Sequence, residues 1–205
     1  MEKLYNPYDN VLKVVKEAAD ILGYTDTVSY THLDVYKRQV ILAGSCSEAT
    51  RTQIRYYESK GGASLRIHPL RFVQGIQTME HIRAFLEENK DQAALVYTSA
   101  PPDEVNRIKA EWRESYPPLE HYNEELLAGT AAYALESGRK RIIAAGGETS
   151  GAVMQKLEMH TFHIGRSIAP GVPVMYPAEQ EGMELILKSG NFGQEDFFIR
   201  AARDI

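Results

Sequence analysis

Three stretches of this sequence run from an apolar segment straight into glycine, serine and threonine, and ligand chemistry would sit there. The first is Val40-Ile41-Leu42-Ala43-Gly44-Ser45-Cys46-Ser47-Glu48. Gly44 permits a tight turn, and Ser45 or Ser47 caps the helix that follows, with Ser45-x-x-Glu48 matching a capping box. The second is Ile142-Ile143-Ala144-Ala145-Gly146-Gly147-Glu148-Thr149-Ser150-Gly151. Its paired glycines remove side chains where phosphates would approach, and the next helix offers free N–H groups at its start. The third is Leu185-Ile186-Leu187-Lys188-Ser189-Gly190-Asn191-Phe192-Gly193. Here Lys188 either neutralises a phosphate or ends a strand at the surface. Each junction alone reads equally well as ordinary turn punctuation. Together they point to an anion or nucleotide site. None has the G-x-x-x-x-G-K-[ST] or G-x-G-x-x-G spacing, so a standard P-loop or dinucleotide fingerprint is disfavoured.

Other reactive residues compete less well. Cys46 at a strand-to-helix turn would gain nucleophilicity from a helix N-terminus, or simply pack as a small residue under the turn. His160 and His163 lie three apart, so on a strand they point to opposite faces, and no further ligand completes a metal set. Glu148 either orients Mg²⁺-bound water or the ribose, or complements the helix dipole. A hydrolase reading lacks the G-x-S-x-G elbow and an acid–histidine pair.

The elements that must position these residues follow from apolar periodicity. Short buried strands are expected at 40–43, 65–67, 93–97, 141–145, 162–164 and 185–187. Amphipathic helices are expected at about 47–59, around Met79, Ile82, Phe85 and Leu86, near 105–112, and at 124–136 ending at Gly138. Alternation of this kind predicts an α/β fold, a mainly parallel sheet covered by helices. In such a sheet all three junctions fall at strand carboxyl ends on one edge, where ligands of these folds bind. A further helix at the N-terminus, from Pro7 through Val11, Val14, Val15, Ala18 and Leu22 to Gly23, looks foreign to the rest.

Composition narrows the class. The chain has 205 residues, 43% hydrophobic and 25% charged, enough to bury a core. With 23 Lys and Arg against 28 Asp and Glu, the net charge is −5, a poor match to nucleic acid. The single cysteine excludes an internal disulfide and a cysteine-only zinc site. No apolar run approaches the ~20 residues of a membrane span, and no signal peptide is present, so a cytoplasmic protein is expected.

Gly44-Ser45-Cys46-Ser47, Gly146 through Val153, Ile168-Ala169-Pro170-Gly171-Val172-Pro173, and Leu187 through Gly193 with Asp196-Phe197-Phe198 resemble, in order and spacing, the C-terminal nucleotide-binding domain of the four-carbon acid sugar kinase family. The resemblance spans residues 40–205. It implies ATP with Mg²⁺ as cofactors, and phosphoryl transfer to threonate, erythronate or a 3-oxo-tetronate. It also implies nucleotide contacts at Ser45, Ser47, Gly146, Gly147, Glu148, Thr149, Lys188, Ser189 and Gly190, with no protein-held metal and an unassigned catalytic base. The family's Asp-Asp-x-Thr-Gly motif is absent, so the sugar-acid substrate would be held by a missing N-terminal domain. The alternative is an isolated nucleotide-binding module without catalysis; homo-oligomerisation is compatible with either. Residues 1–27 resemble the N-terminal helix of glutamate dehydrogenases. Residues 28–39 resemble translated sequencing-adapter read-through, which makes the chain a join of two unrelated pieces.

Overall fold

A computed structural model describes residues 38–203, so the expected helix in 1–27 and most of the adapter-like segment lie outside the described residues. Its centre is a seven-stranded sheet of order β2-β3-β1-β4-β7-β6-β5. The strands are β1 (Gln39–Ala43), β2 (Ala63–Arg66), β3 (Ala93–Tyr97), β4 (Arg141–Ala145), β5 (Phe162–Ala169), β6 (Val172–Pro177) and β7 (Glu184–Lys188). From β2 across to β7 all pairings are parallel; β6 and β5 add an antiparallel hairpin at one edge. The expected parallel α/β architecture is what the chain adopts. β1 starts at Gln39, the last position of the adapter-like segment. Gln39 is fully buried and its side-chain amide donates to the Ala202 carbonyl at 2.8 Å.

Parallel strands buried on both faces read as continuous apolar runs, and β1 (QVILA) and β4 (RIIAA) are buried at every position. Their side chains alternate between two cores. Val40, Leu42, Ile142, Ala144 and Leu185 pack with Leu127, Ala131 and Ala134 of α5 (Leu119–Glu136), Leu86 of α3 (Met79–Glu88) and Val153 of α6 (Gly147–Lys156). Ile41, Ala43, Ile143, Ala145 and Ile186 face α1 (Glu48–Ser59) and α7 (Phe197–Arg203) through Ile54, Tyr57, Phe197 and Phe198. Two short helices, α2 (Pro69–Val73) and α4 (Pro102–Glu111), join a satellite cluster of Leu70, Ile108 and Leu119 beside the sheet's carboxyl edge.

Two arginines, Arg139 and Arg141, are structural. Arg141 is fully buried, its Nε donating to Glu184 at 2.5 Å and its Nη1 to the Ala201 carbonyl at 3.0 Å. Arg139 is buried with its guanidinium on the Leu86 carbonyl. At the free edge, β5 is not the buried strand expected at 162–164: His163 and Ile164 are exposed, Ile164 at 66%, and the register shifts between Ile164 and Ser167.

Candidate active site

β1 and β4 are neighbours, yet the chain leaves them in opposite directions. After β1 it passes through α1 on one face; after β4 it passes through α6 on the other. That divergence opens a crevice at the carboxyl ends of the two strands, the switch point where open α/β sheets bind ligands. The junctions are laced there by backbone bonds. Gly44 and Ser45 N–H groups donate to the Ala145 carbonyl at 3.2 and 3.3 Å, Gly146 N–H to Lys188 at 2.9 Å, and Thr98 N–H to Ala43 at 3.0 Å.

Ser45 is the hub of the packing. Gly146, at φ +128°, occupies a region L side chains rarely enter, and a Cβ there would meet Ser45 N at 3.2 Å. A Cβ on Gly190 would lie 2.2 Å from Ser45 Oγ. A Cβ on Gly147 would meet nothing within 4 Å. Gly147 opens α6, whose N-cap is Gly146 and carries no side-chain cap, so the first N–H groups of α6 face the crevice without one.

The crevice encloses about 450 Å³. Gly44, Ser45, Cys46 and the Gly146–Thr149 segment line it together with the apolar Pro69, Ala100, Val105, Ile108, Leu119 and Leu127 and the polar Thr98 and Asn123. Lys109 and Glu120 pair at 2.6 Å on its rim, raising the lysine's pKa and lowering the carboxylate's through their mutual hydrogen bond. Of the nine residues singled out from sequence, Ser45, Gly146, Gly147, Glu148 and Thr149 line this cleft.

The other four do not line it: Lys188 is buried, Ser47 and Gly190 are half-buried, and Ser189 is exposed. Ser47, not Ser45, is the N-cap of α1: its Oγ accepts from Thr50 N–H at 3.2 Å and donates to the Gly190 carbonyl at 2.7 Å. Ser45 Oγ instead accepts from Ser47 N–H, at 3.2 Å, because the helix begins later than a Ser45 capping box requires. Lys188 is neither at the surface nor in the cleft lining. It is 2% exposed, and Nζ donates to Thr50 Oγ1 and the Ser189 and Gly190 carbonyls, each at 3.1 Å. Burial pushes its pKa down to about 8. Thr50 Oγ1 donates onward to Gly190 at 2.9 Å, so three donors converge on that one carbonyl and fix the 189–190 turn against Ser45.

Two cleft residues carry no signal in the sequence. Thr98, just beyond β3, is 5% exposed, and its hydroxyl has no hydrogen-bond partner; neither does the buried Oδ1 of Asn123 on α5. The Thr98-Ser99-Ala100 stretch is a fourth strand-to-small-residue junction, inconspicuous because it lacks glycine. Ser99 ties it to the first, its Oγ contacting the Ala43 and Ser45 carbonyls at 3.1 and 2.7 Å. Cys46 is exposed at the cleft, and its thiol contacts the Gly44 carbonyl at 3.9 Å. Among the described residues no three His, Cys, Asp or Glu side chains cluster for a metal, and no helix is long and apolar enough to cross a membrane.

The chain has relatives among known proteins. Residues 40–198 match the nucleotide-binding C-terminal domain family. The chain belongs to that family. It is 40% identical over 166 residues to a 3-oxo-tetronate kinase of Cupriavidus necator, covering 81% of this chain and 38% of the relative. A 3-oxo-tetronate kinase of Methylobacterium radiotolerans is 42% identical over 162 residues, 78% of this chain and 38% of that one. The crystal structure of a Haemophilus influenzae protein of the DUF1537 family superposes with a TM-score of 0.74 at 36% identity, covering 80% of this chain and 39% of that one. The chain thus spans about two-fifths of the length of the relatives it matches, and its domain corresponds to their C-terminal nucleotide-binding part.

Proposed function

We propose that the crevice between the ends of β1 and β4 binds ATP, and that the domain is the nucleotide half of a kinase acting on four-carbon sugar acids of the 3-oxo-tetronate kind. The observation that carries this reading is the start of α6. It is uncapped, lies beside open space at Gly147, and lines the cleft. A polyphosphate supplies what such a site lacks, acceptor oxygens and negative charge at a helix N-terminus. Ser45 and Thr149 hydroxyls stand on either side of the Gly146 turn and complete the donor set.

Mg²⁺ carried by the nucleotide would neutralise charge on the transferring phosphoryl group; it keeps several waters and needs few protein oxygens. The carboxylates of Glu148, Glu124 and Glu120 line the cleft and suit contact with such waters. Ser47, Thr50 and Lys188 contribute by holding the Gly190 turn rather than by touching phosphate. Phosphoryl transfer also needs the acceptor hydroxyl held in line. We place the sugar-acid site in the portion of the kinase relatives outside the matched span.

Mg-ATP should therefore raise the unfolding free energy by about 2.7 kcal/mol at 100-fold excess over Kd. ADP release in the presence of threonate, erythronate or 3-oxo-tetronates should appear only when the N-terminal domain of a kinase relative is added. Sugar-acid-dependent ADP release by the chain alone would refute this division of labour, and the absence of any ATP response would refute the nucleotide site.

A further inference from the structure

A smaller pocket, of about 130 Å³, shares no lining residue with the crevice. Arg51, Arg55 and Glu58 line it from one face of α1, at positions i, i+4 and i+7. Arg66 at the end of β2, Tyr97 at the end of β3 and Ser99 just beyond supply the rest of its polar wall. The acids nearby are already engaged. Glu58 Oε1 accepts from Ser64 Oγ at 2.8 Å and from Tyr97 OH at 3.0 Å, and Glu104 of α4 pairs with Arg66 at 2.6 Å. Arg51 and Arg55 form no ion pair among the described residues. Arg51 Nε donates to the Cys46 carbonyl at 3.2 Å and Arg55 Nη2 to Thr52 Oγ1 at 2.9 Å, which leaves most N–H groups of both guanidiniums unspent. Like charges four residues apart on a helix repel each other, and an anion shared between them turns that cost into a gain.

We infer that this pocket is a second anion site, separate from the crevice, which takes one phosphate group of inorganic phosphate or of a small phosphate monoester. Guanidiniums are the side chains best matched to phosphate oxygens, through paired N–H donors and a charge that persists at every working pH. A phosphate dianion balances Arg51 and Arg55 together, whereas a single carboxylate balances one. The volume fits one such group; sites for drug-sized ligands run to about 300–1,000 Å³. Arg55 and Glu58 are exposed, so the remainder of an ester extends into solvent. The pocket also backs onto the first junction. Arg51 holds the Cys46 carbonyl and Ser99 Oγ contacts the Ser45 carbonyl at 2.7 Å, so an anion on Arg51 bears on the turn that lines the crevice. The inference does not depend on what the crevice itself binds.

The test is calorimetric titration of the whole chain with inorganic phosphate, glycerol 3-phosphate and acetate at fixed ionic strength. It is run on Gly147→Val, which closes the crevice to phosphate, and on that variant combined with Arg51→Gln, Arg55→Gln or Arg113→Gln. Circular dichroism checks that each is folded. Gly147→Val should bind at least one of the two phosphates saturably, and acetate at least about tenfold more weakly. Arg51→Gln and Arg55→Gln should each weaken phosphate binding by about tenfold or more, the loss of a charge-assisted hydrogen bond. Arg113 is an exposed arginine outside the pocket, and its replacement should leave affinity within about twofold. Tighter binding of the ester identifies a phosphorylated metabolite as the ligand, and tighter or equal binding of inorganic phosphate identifies the free ion. Absence of saturable binding in Gly147→Val overturns the site. Binding that neither Arg51→Gln nor Arg55→Gln weakens, or that Arg113→Gln weakens equally, overturns it too, the second result showing general surface charge.

Discussion

Raising the pH past 8 should stabilise this protein through one buried lysine. Lys188 is 2% exposed, and burial lowers its pKa from the ordinary 10.5 to about 8. The folded chain therefore releases that proton at lower pH than the unfolded chain. Between about pH 8 and 10.5 the unfolded state holds more protons, so unfolding free energy rises with pH. A tenfold difference in proton affinity between the two states is worth about 1.4 kcal/mol, which sets a ceiling of roughly 3 kcal/mol across that window. The wild-type profile alone will not show the whole gain. Burial holds Tyr57 and Tyr97 up at about 12, and the stability they contribute is lost above pH 10, where the unfolded tyrosines ionise first. Lys188→Met removes the titrating group and keeps an unbranched apolar chain beside Phe197, whose ring centroid lies 5.8 Å from Nζ. The Gly190 carbonyl keeps its Ser47 and Thr50 donors in that variant. Urea unfolding of both proteins at fixed ionic strength, from about pH 7 to 10, gives the difference directly, because the tyrosines cancel. Wild type should gain on Lys188→Met by about 2 kcal/mol or more between about pH 8 and 10. Parallel profiles would show that the ammonium is as well solvated in the fold as outside it.

Gly147→Val should leave the ligand-free melting temperature within about 2 °C, since its Cβ enters open space, yet abolish the Mg-ATP shift; a retained shift removes Gly147 from the site. Gly190→Ala should destabilise by about 1–3 kcal/mol because its Cβ falls 2.2 Å from Ser45 Oγ, and adding Ser45→Ala should recover part of that loss in urea unfolding. Deleting residues 1–37 should change stability by no more than about 0.5 kcal/mol if the adapter-like segment is foreign to the domain. Extending the deletion through Gln39 should cost about 1–3 kcal/mol, because its buried amide holds the Ala202 carbonyl and its backbone pairs with Ala93 and Arg141. Equal stability of the two truncations would show that Gln39 contributes nothing.

Elements buried on both faces are legible in the sequence, and elements defined by distant partners are not. β1, β3, β4 and β7 each show an apolar run, because neighbours cover them on both sides. β6 is hidden: Pro173 and Pro177 mask it, and its burial is interrupted by half-buried and exposed positions rather than forming a continuous apolar run. α7 has seven residues, too few to show a period, and its end is fixed by Gln39 and Arg141, side by side on β1 and β4. Lys188 is visible as a cation near Ser-Gly, but its burial depends on Thr50, 138 residues away. Thr98 and Asn123 acquire a shared cleft only because the sheet order sets β3 beside β1, under α5.

The glycines of the junctions therefore carry two different messages. Gly44, Gly146 and Gly190 are required by the protein itself: a Cβ on each would fall between 2.2 and 3.2 Å from Ser45 or Thr149. They bring three loops together and would be needed whether or not a ligand ever bound. Gly147 alone among these four opens onto empty space, at the first turn of an uncapped helix. Glycine density marks where strands converge; in the proposed nucleotide reading it is Gly147, with nothing opposite it at a helix start, that leaves room for phosphate. Substitution at Gly44, Gly146 or Gly190 tests packing, and substitution at Gly147 tests the ligand.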